Sequence, residues 1–164
     1  MKRMMKGLVA AVALIFSLSA FAEQVGVVDM QSIFHSSPEI QKINSDLTTQ
    51  FSSRRESIMK MGKALQEDMA NLNKNKMVMK KSDLSALQAK ITKEGNDLKE
   101  AQAKFQQDLY AAQNKSMEDF MNKVKMSVQK IAAEKKLDLV LPKNTVLYSQ
   151  GGLDITSDVL SSLK

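Results

Sequence analysis

Between Pro38 and Lys136 the chain contains no further proline, and its apolar residues recur at spacings of three and four. Ile40, Ile43, Leu47, Phe51, Ile58, Met61, Leu65 and Leu72 mark one such run. Leu84, Leu87, Ile91, Leu98, Ala101, Phe105 and Ala112 mark a second, a heptad seam with polar Glu94 and Asp108 at two d positions. The runs break between Asn71 and Ser82. Three asparagines weaken the helix there, and Ser82-Asp83 can cap a new one. Two antiparallel helices of about 55 and 80 Å follow, at about 1.5 Å per residue. Such rods far exceed the mean globular helix of about 11–12 residues, so the chain makes an elongated arm and not a ball.

Antiparallel pairing about the tip brings together positions that sum to about 156, which sets Pro38 level with Glu118. From Asp119 to Lys136 no long helix of the same chain lies alongside. Yet Phe120, Val124, Val128 and Ile131 keep an apolar stripe. That stripe must meet the β body, the short Met30–Phe34 segment or another subunit.

The two ends read differently. Val25-Gly26-Val27-Val28 is a short strand, and Asp29 can cap a short helix through Met30, Ile33 and Phe34. The arm then starts in one of two registers. Ser36 with Glu39 makes a capping box, while Ser37 with Pro38 makes an N-cap followed by proline at N1. After the arm, Leu137–Leu141 and Thr145–Tyr148 read as strands with a turn at Pro142 and Asn144, and Gly151-Gly152 as a second turn. Asp154 or Thr156 can cap a final helix carrying Val159, Leu160 and Leu163. The expected class is α+β, mostly α: a long helical hairpin, 38–136 with its tip at about 73–82, on a small β body built from 23–37 and 137–164.

Residues 1–22 stand apart. Lys2, Arg3 and Lys6 precede an apolar run from Gly7 to Phe16, and Ala20-Phe21-Ala22 gives a small-x-small cleavage pattern. The run is too short for a spanning helix. A signal peptide cleaved near Ala22–Glu23 and a periplasmic location are expected. Without cysteine, an exported chain has no disulfide framework. Its stability rests on packing, helix propensity or assembly. The formal charge of +6 includes the leader; without Lys2, Arg3 and Lys6, 21 basic residues face 18 acidic ones, for a net +3. That supports solubility and attraction to anionic surfaces.

Three short strands from opposite ends of the chain must meet at the base of the hairpin. So little apolar material leaves exposed edges and a thin core, which joining several copies would bury. A homo-oligomer is therefore expected, and the physics does not fix the number of subunits.

Gly26-Val27-Val28-Asp29-Met30-Gln31-Ser32-Ile33-Phe34 resembles the start of the Skp/OmpH family. Leu137–Leu141, Val146-Leu147-Tyr148, and Asp154-Ile155-Thr156 with Val159-Leu160 resemble its end. The order of leader, hairpin and β segments matches along the whole mature chain, with the specific signal in the two ends. The resemblance implies a homotrimer in which strands of three subunits form a small barrel and three arms enclose a cavity. That cavity would hold unfolded outer-membrane proteins and pass them on toward outer-membrane assembly, without nucleotide.

Charge along the arm is uneven. From Arg54 to Lys93 ten basic residues face four acids, a net +6, and between Asn71 and Ser82 there are four lysines and no acid. Arg54, Arg55, Lys74, Lys76, Lys80 and Lys81 are candidates to attract acidic clients, lipopolysaccharide or an anionic phospholipid surface; a merely solvated helical face is the plain alternative. Met77 and Met79 at the tip add adaptable thioethers for client contact. Gly62 and Gly95, nearly level in the expected pairing, are candidates for a hinge. Val25, Val27, Leu137, Leu139, Leu141, Val146 and Tyr148 are candidates for oligomerisation. His35 is the only histidine, so no catalytic triad or zinc set can be assembled. No catalytic residue, metal or cofactor is expected. A nucleic-acid binder is opposed by the leader and by the lack of a recognition motif, and an envelope adaptor by the shortness of the chain.

Overall fold

A computed structural model describes residues 24–148 and 153–163. The expected leader at 1–22 and the Gly151-Gly152 turn lie outside the described residues. Strand β1 (Val25–Val28) leads into α1 (Met30–Ser36), then α2 (Pro38–Asn75) and α3 (Lys81–Glu134). The chain returns through β2 (Leu139–Pro142), a 3-10 turn (Lys143–Thr145), β3 (Leu153–Asp154) and α4 (Thr156–Ser162).

Local chemistry sets the helix boundaries. Asp29 caps α1 by accepting the Ser32 N–H at 3.0 Å and the Ser32 hydroxyl at 2.9 Å. Of the two registers open for α2, the Ser37 one holds. Ser37 is fully buried with extended backbone, its Oγ accepts the Glu39 N–H at 3.3 Å, and Pro38 takes the first helical position. The expected Ser82-Asp83 cap is corrected. Helix α3 starts behind Lys80, whose carbonyl takes the Leu84 N–H at 3.0 Å, with no side-chain cap. Asp83 instead sits in the first turn, where its charge meets the positive end of the helix dipole, and the Ser82 hydroxyl bonds to it. Helix α2 runs on through Asn71, Asn73 and Asn75. Asn75 donates to the Asn71 side chain at 2.6 Å, one turn back, so the tip narrows to Lys76–Lys80.

Phe51 and Phe105 meet edge to face across the hairpin, with centroids 5.7 Å apart, at positions that sum to the expected 156. The two polar d positions are each matched by a cation. Asp108 takes Arg54 at 2.8 Å, and the Arg54 guanidinium also lies 5.8 Å from the Phe51 centroid. Glu94 takes Lys90 at 3.5 Å, while Lys90 reaches across to Asp68 at 2.6 Å.

The sheet is three-stranded, in the order β2-β1-β3, and wholly parallel. Parallel neighbours need a crossover, and the whole arm is the crossover from β1 to β2. Two strand expectations are corrected. The first return strand is Leu139–Pro142, because Leu137 and Asp138 are still turning out of α3. Thr145–Tyr148 is no strand: the Thr145 hydroxyl bonds the Pro142 carbonyl at 2.7 Å and the Val146 N–H reaches Lys143, so a local turn outcompetes the β-branched composition. The third strand is Leu153–Asp154.

On one face of this sheet lies the base core: Val28, Ile33, Phe120, Val124, Ile131, Ile155, Val159 and Leu163. The α3 stripe left open above thus meets the body of its own chain, with Phe34 tilted onto Phe120 at 5.5 Å. The thin-core expectation is corrected for this face, because α1, α4 and the end of α3 cover it.

Helix α3 ends in a Schellman motif. The Leu137 N–H reaches the Ala132 carbonyl at 2.8 Å and the Lys136 N–H the Ala133 carbonyl at 3.2 Å. Lys136 stands in the left-handed region, φ 54°, where glycine is at home. We expect Lys136→Gly to stabilise the protein by about 0.5–1 kcal/mol in urea unfolding, since left-handed backbone costs a side-chain-bearing residue about 1–2 kcal/mol. The turn lays Leu137 over Gly26. A Cβ at Gly26 would stand 2.7 Å from Leu137 Cδ1, so glycine here permits the close approach of β1 to the returning chain.

Candidate functional site

Strand alternation divides the β residues between two faces. Val28 and Val140 point into the base core, so Val27, Leu139 and Leu141 point away from it, with Val25 opposite Leu139 and Val27 opposite Leu141 in register. Val27 is buried on the central strand, but Leu139 is 42% exposed on a strand with an open edge. The helices of the base core pack on the other face. Of the residues singled out for oligomerisation, the sheet brings together Val25, Val27, Leu139 and Leu141. It does not bring Leu137, which packs against the base core, nor Val146 and Tyr148, which follow the 3-10 turn; Tyr148 is exposed.

The tip candidates cluster. Lys74, Lys76, Lys80 and Lys81 are exposed around the turn, Met77 is 88% exposed beside exposed Val78, and Met79 is half-buried. Arg55 is exposed on α2, whereas Arg54 is held by Asp108 and the two phenylalanines. Gly62 and Gly95 are both half-buried; a Cβ at Gly62 would touch Leu98 at 4.0 Å, and one at Gly95 would meet nothing within 4 Å. Sequence reasoning missed Tyr110, which is 67% exposed on α3. Its signal was its absence from the seam positions.

Beside the sheet, a polar junction ties the two chain ends. The Asp29 N–H donates to Thr156 Oγ1 at 2.8 Å, the Thr156 N–H to Asp154 Oδ1 at 2.9 Å, and Lys143 Nζ to Asp154 Oδ2 at 3.0 Å. Bonds from Thr156, then from Lys143, hold the Asp154 carboxyl down to about 2. The Ser32 N–H and hydroxyl lower Asp29 as well. Both groups are depressed, so their contribution is present above the ordinary carboxylate range and fades as pH falls from about 4 toward 2. Asp154→Asn should therefore melt below wild type at neutral pH, and thermal scans should show that gap closing near pH 2.

Among the described residues no group of three or more His, Cys, Asp or Glu side chains is placed to hold a metal ion, and no helix is long and apolar enough to cross a membrane. The profile of the family described as outer membrane protein (OmpH-like) matches residues 24–163. The chain belongs to the OmpH-like family. Similarity to individual family members runs from end to end. The chaperone protein Skp of Pectobacterium atrosepticum is 28% identical over 158 residues, covering 94% of this chain and 96% of that one. The chaperone protein Skp of Yersinia enterocolitica is 27% identical over the full length of both. A crystal structure of an OmpH-like protein from Caulobacter crescentus superposes with a TM-score of 0.74 over 85% of this chain and 82% of that one, at 17% identity, and shows the shared OmpH-like fold. The segments whose resemblance marked the family in the sequence, around Asp29 and around Asp154-Ile155-Thr156, are the two halves of the polar junction.

Proposed function

We propose that this protein is an ATP-independent periplasmic holdase that keeps unfolded outer-membrane β-barrel proteins from aggregating and delivers them for assembly. The observation that carries the reading is full-length similarity to proteins named chaperone Skp, joined to an arm that shows large apolar side chains to solvent: Met59, Met69, Met77, Tyr110 and Met126 are all exposed. Thioethers adapt to many apolar partners and so suit a client with no fixed structure. The mature chain begins near Glu23, and three copies join through the open face and edges of the sheet so that their arms surround the guest. The role calls for no catalytic residue, metal or cofactor.

The lysines of the tip speed capture by attracting acidic segments and anionic surfaces, including lipopolysaccharide, at a distance set by the Debye length of about 10 Å in 0.1 M salt. Gly62 and Gly95 let the arm bend around clients of different size; spin-label distances that stay unchanged in a Gly62→Ala, Gly95→Ala variant would discard that role. The central test dilutes a urea-denatured β-barrel protein into the mature chain and follows light scattering. Suppressed scattering supports the holdase, and unsuppressed aggregation rejects it. In the same assay Lys74→Gln, Lys76→Gln, Lys80→Gln and Lys81→Gln together should slow capture several-fold at low salt and change little at high salt, because each removed charge acts through a screened field. A variant that captures as fast as wild type at low salt removes the tip from the mechanism.

A further inference from the structure

Tyr110, Met117 and Met121 are 67%, 42% and 39% exposed on α3. At about 100° per residue, seven and eleven positions are close to whole numbers of turns, so these three stand in one line along the helix. Continued toward the tip, the line runs through Gln106 and Ala103 to Lys99, where it enters a groove of about 470 Å³ between the two helices. Across that groove α2 presents Arg55 and the 68%-exposed Met59. From Lys99 to Met121 the line is about 33 Å long and holds no Asp or Glu. The arm's ion pairs leave it alone: Asp108 is turned to Arg54, and neither Arg55 nor Lys99 has a carboxylate within 4.0 Å among the described residues.

We infer that this face of the arm is the track on which a client segment lies, and that its occupant is one extended, alternating strand of an unfolded β-barrel protein. The inference rests on the holdase reading and gives it a location. Extended chain rises about 3.3 Å per residue, so the track takes about ten residues, the length of one membrane-spanning β-strand. Such a strand carries an apolar side chain at every second position, which suits a ridge of thioethers and one phenol ring. Acidic side chains at a strand end meet Lys99 and Arg55, and no carboxylate along the track repels them. Many shallow contacts of this kind hold a strand without imposing a sequence or a fold.

The test uses the mature chain in its assembled form and a urea-denatured eight-stranded outer-membrane protein as the probe. Tyr110→Ser, Met117→Gln and Met121→Gln together should weaken client binding at least about tenfold while helicity and melting temperature stay as in wild type. If wild type itself leaves the probe to aggregate, the holdase reading fails; if wild type holds it and the triple variant holds it equally well, only the track is overturned. Photocrosslinking keeps the outcome clear should the triple variant misfold. A photoreactive phenylalanine analogue at position 117 or 59 should crosslink to the probe, and the same group at Lys115, on the far side of α3, should not. A crosslink from 117 to a second copy of the chain, or equal client crosslinks from 117 and 115, would overturn the assignment.

Discussion

Replacing Phe120 by alanine should cost the base about 3–5 kcal/mol and unfold it well before the arm. Phe120 is 1% exposed and packs against Phe34, among Val28, Ile33, Val124 and Ile155, residues drawn from β1, α1, α3 and the junction between β3 and α4. The surrounding side chains come from separate parts of the chain, and α3 is held there by its own C-terminal turn, so the space left would close only in part. Urea unfolding followed by far-UV dichroism should show an early loss of the base and a later loss of the hairpin, which keeps the Phe51–Phe105 pair. Val78→Ala, at an 82%-exposed tip position, should move the same curves by less than about 0.5 kcal/mol. A Phe120→Ala protein within about 1 kcal/mol of wild type would mean that the base is not held together by this core.

The arm was legible because a helix writes its own pattern. Three-and-four spacing marks the seam, and the antiparallel pairing of positions that sum to about 156 agrees with the Phe51–Phe105 contact. The base was harder for a physical reason: its partners lie more than a hundred residues apart. Nothing local in Thr145–Tyr148 says that Thr145 will spend its hydroxyl on Pro142 instead of joining a ladder, and two residues, Leu153–Asp154, are too few to show alternation. The cap expected for α3 erred in the same way, while those of α1 and α2 held. Ser82-Asp83 has the composition of an N-cap, but the chain was already helical one residue earlier, and the pair serves the first turn instead. Periodicity places Glu94 and Asp108 at d positions but does not name their cations, Lys90 one turn back on the same helix and Arg54 on the opposite one. Exposure decides candidate contact surfaces, and periodicity cannot give exposure: Arg54 and Arg55 are neighbours in sequence, yet one is paired across the hairpin and the other faces solvent.

Leu139→Asp together with Leu141→Asp should take the proposed assembly apart. Both side chains leave the sheet on the face opposite the base core, in register with Val25 and Val27. Carboxylates there stay hydrated in a single copy and lose that hydration when another copy covers them, at a cost of several kcal/mol per buried, unpaired charge. Sedimentation at micromolar concentration should fall from three copies to one. The helical signal should persist, since Phe120, Val124 and Val159 on the other face are untouched. Client holding should be lost with the assembly, because one arm offers one track, whereas several tracks held around the same guest multiply weak contacts through effective concentration. If the double variant sediments as wild type does, the copies meet elsewhere. If it sediments as one copy and still keeps the β-barrel protein in solution, enclosure is not what the arms are for.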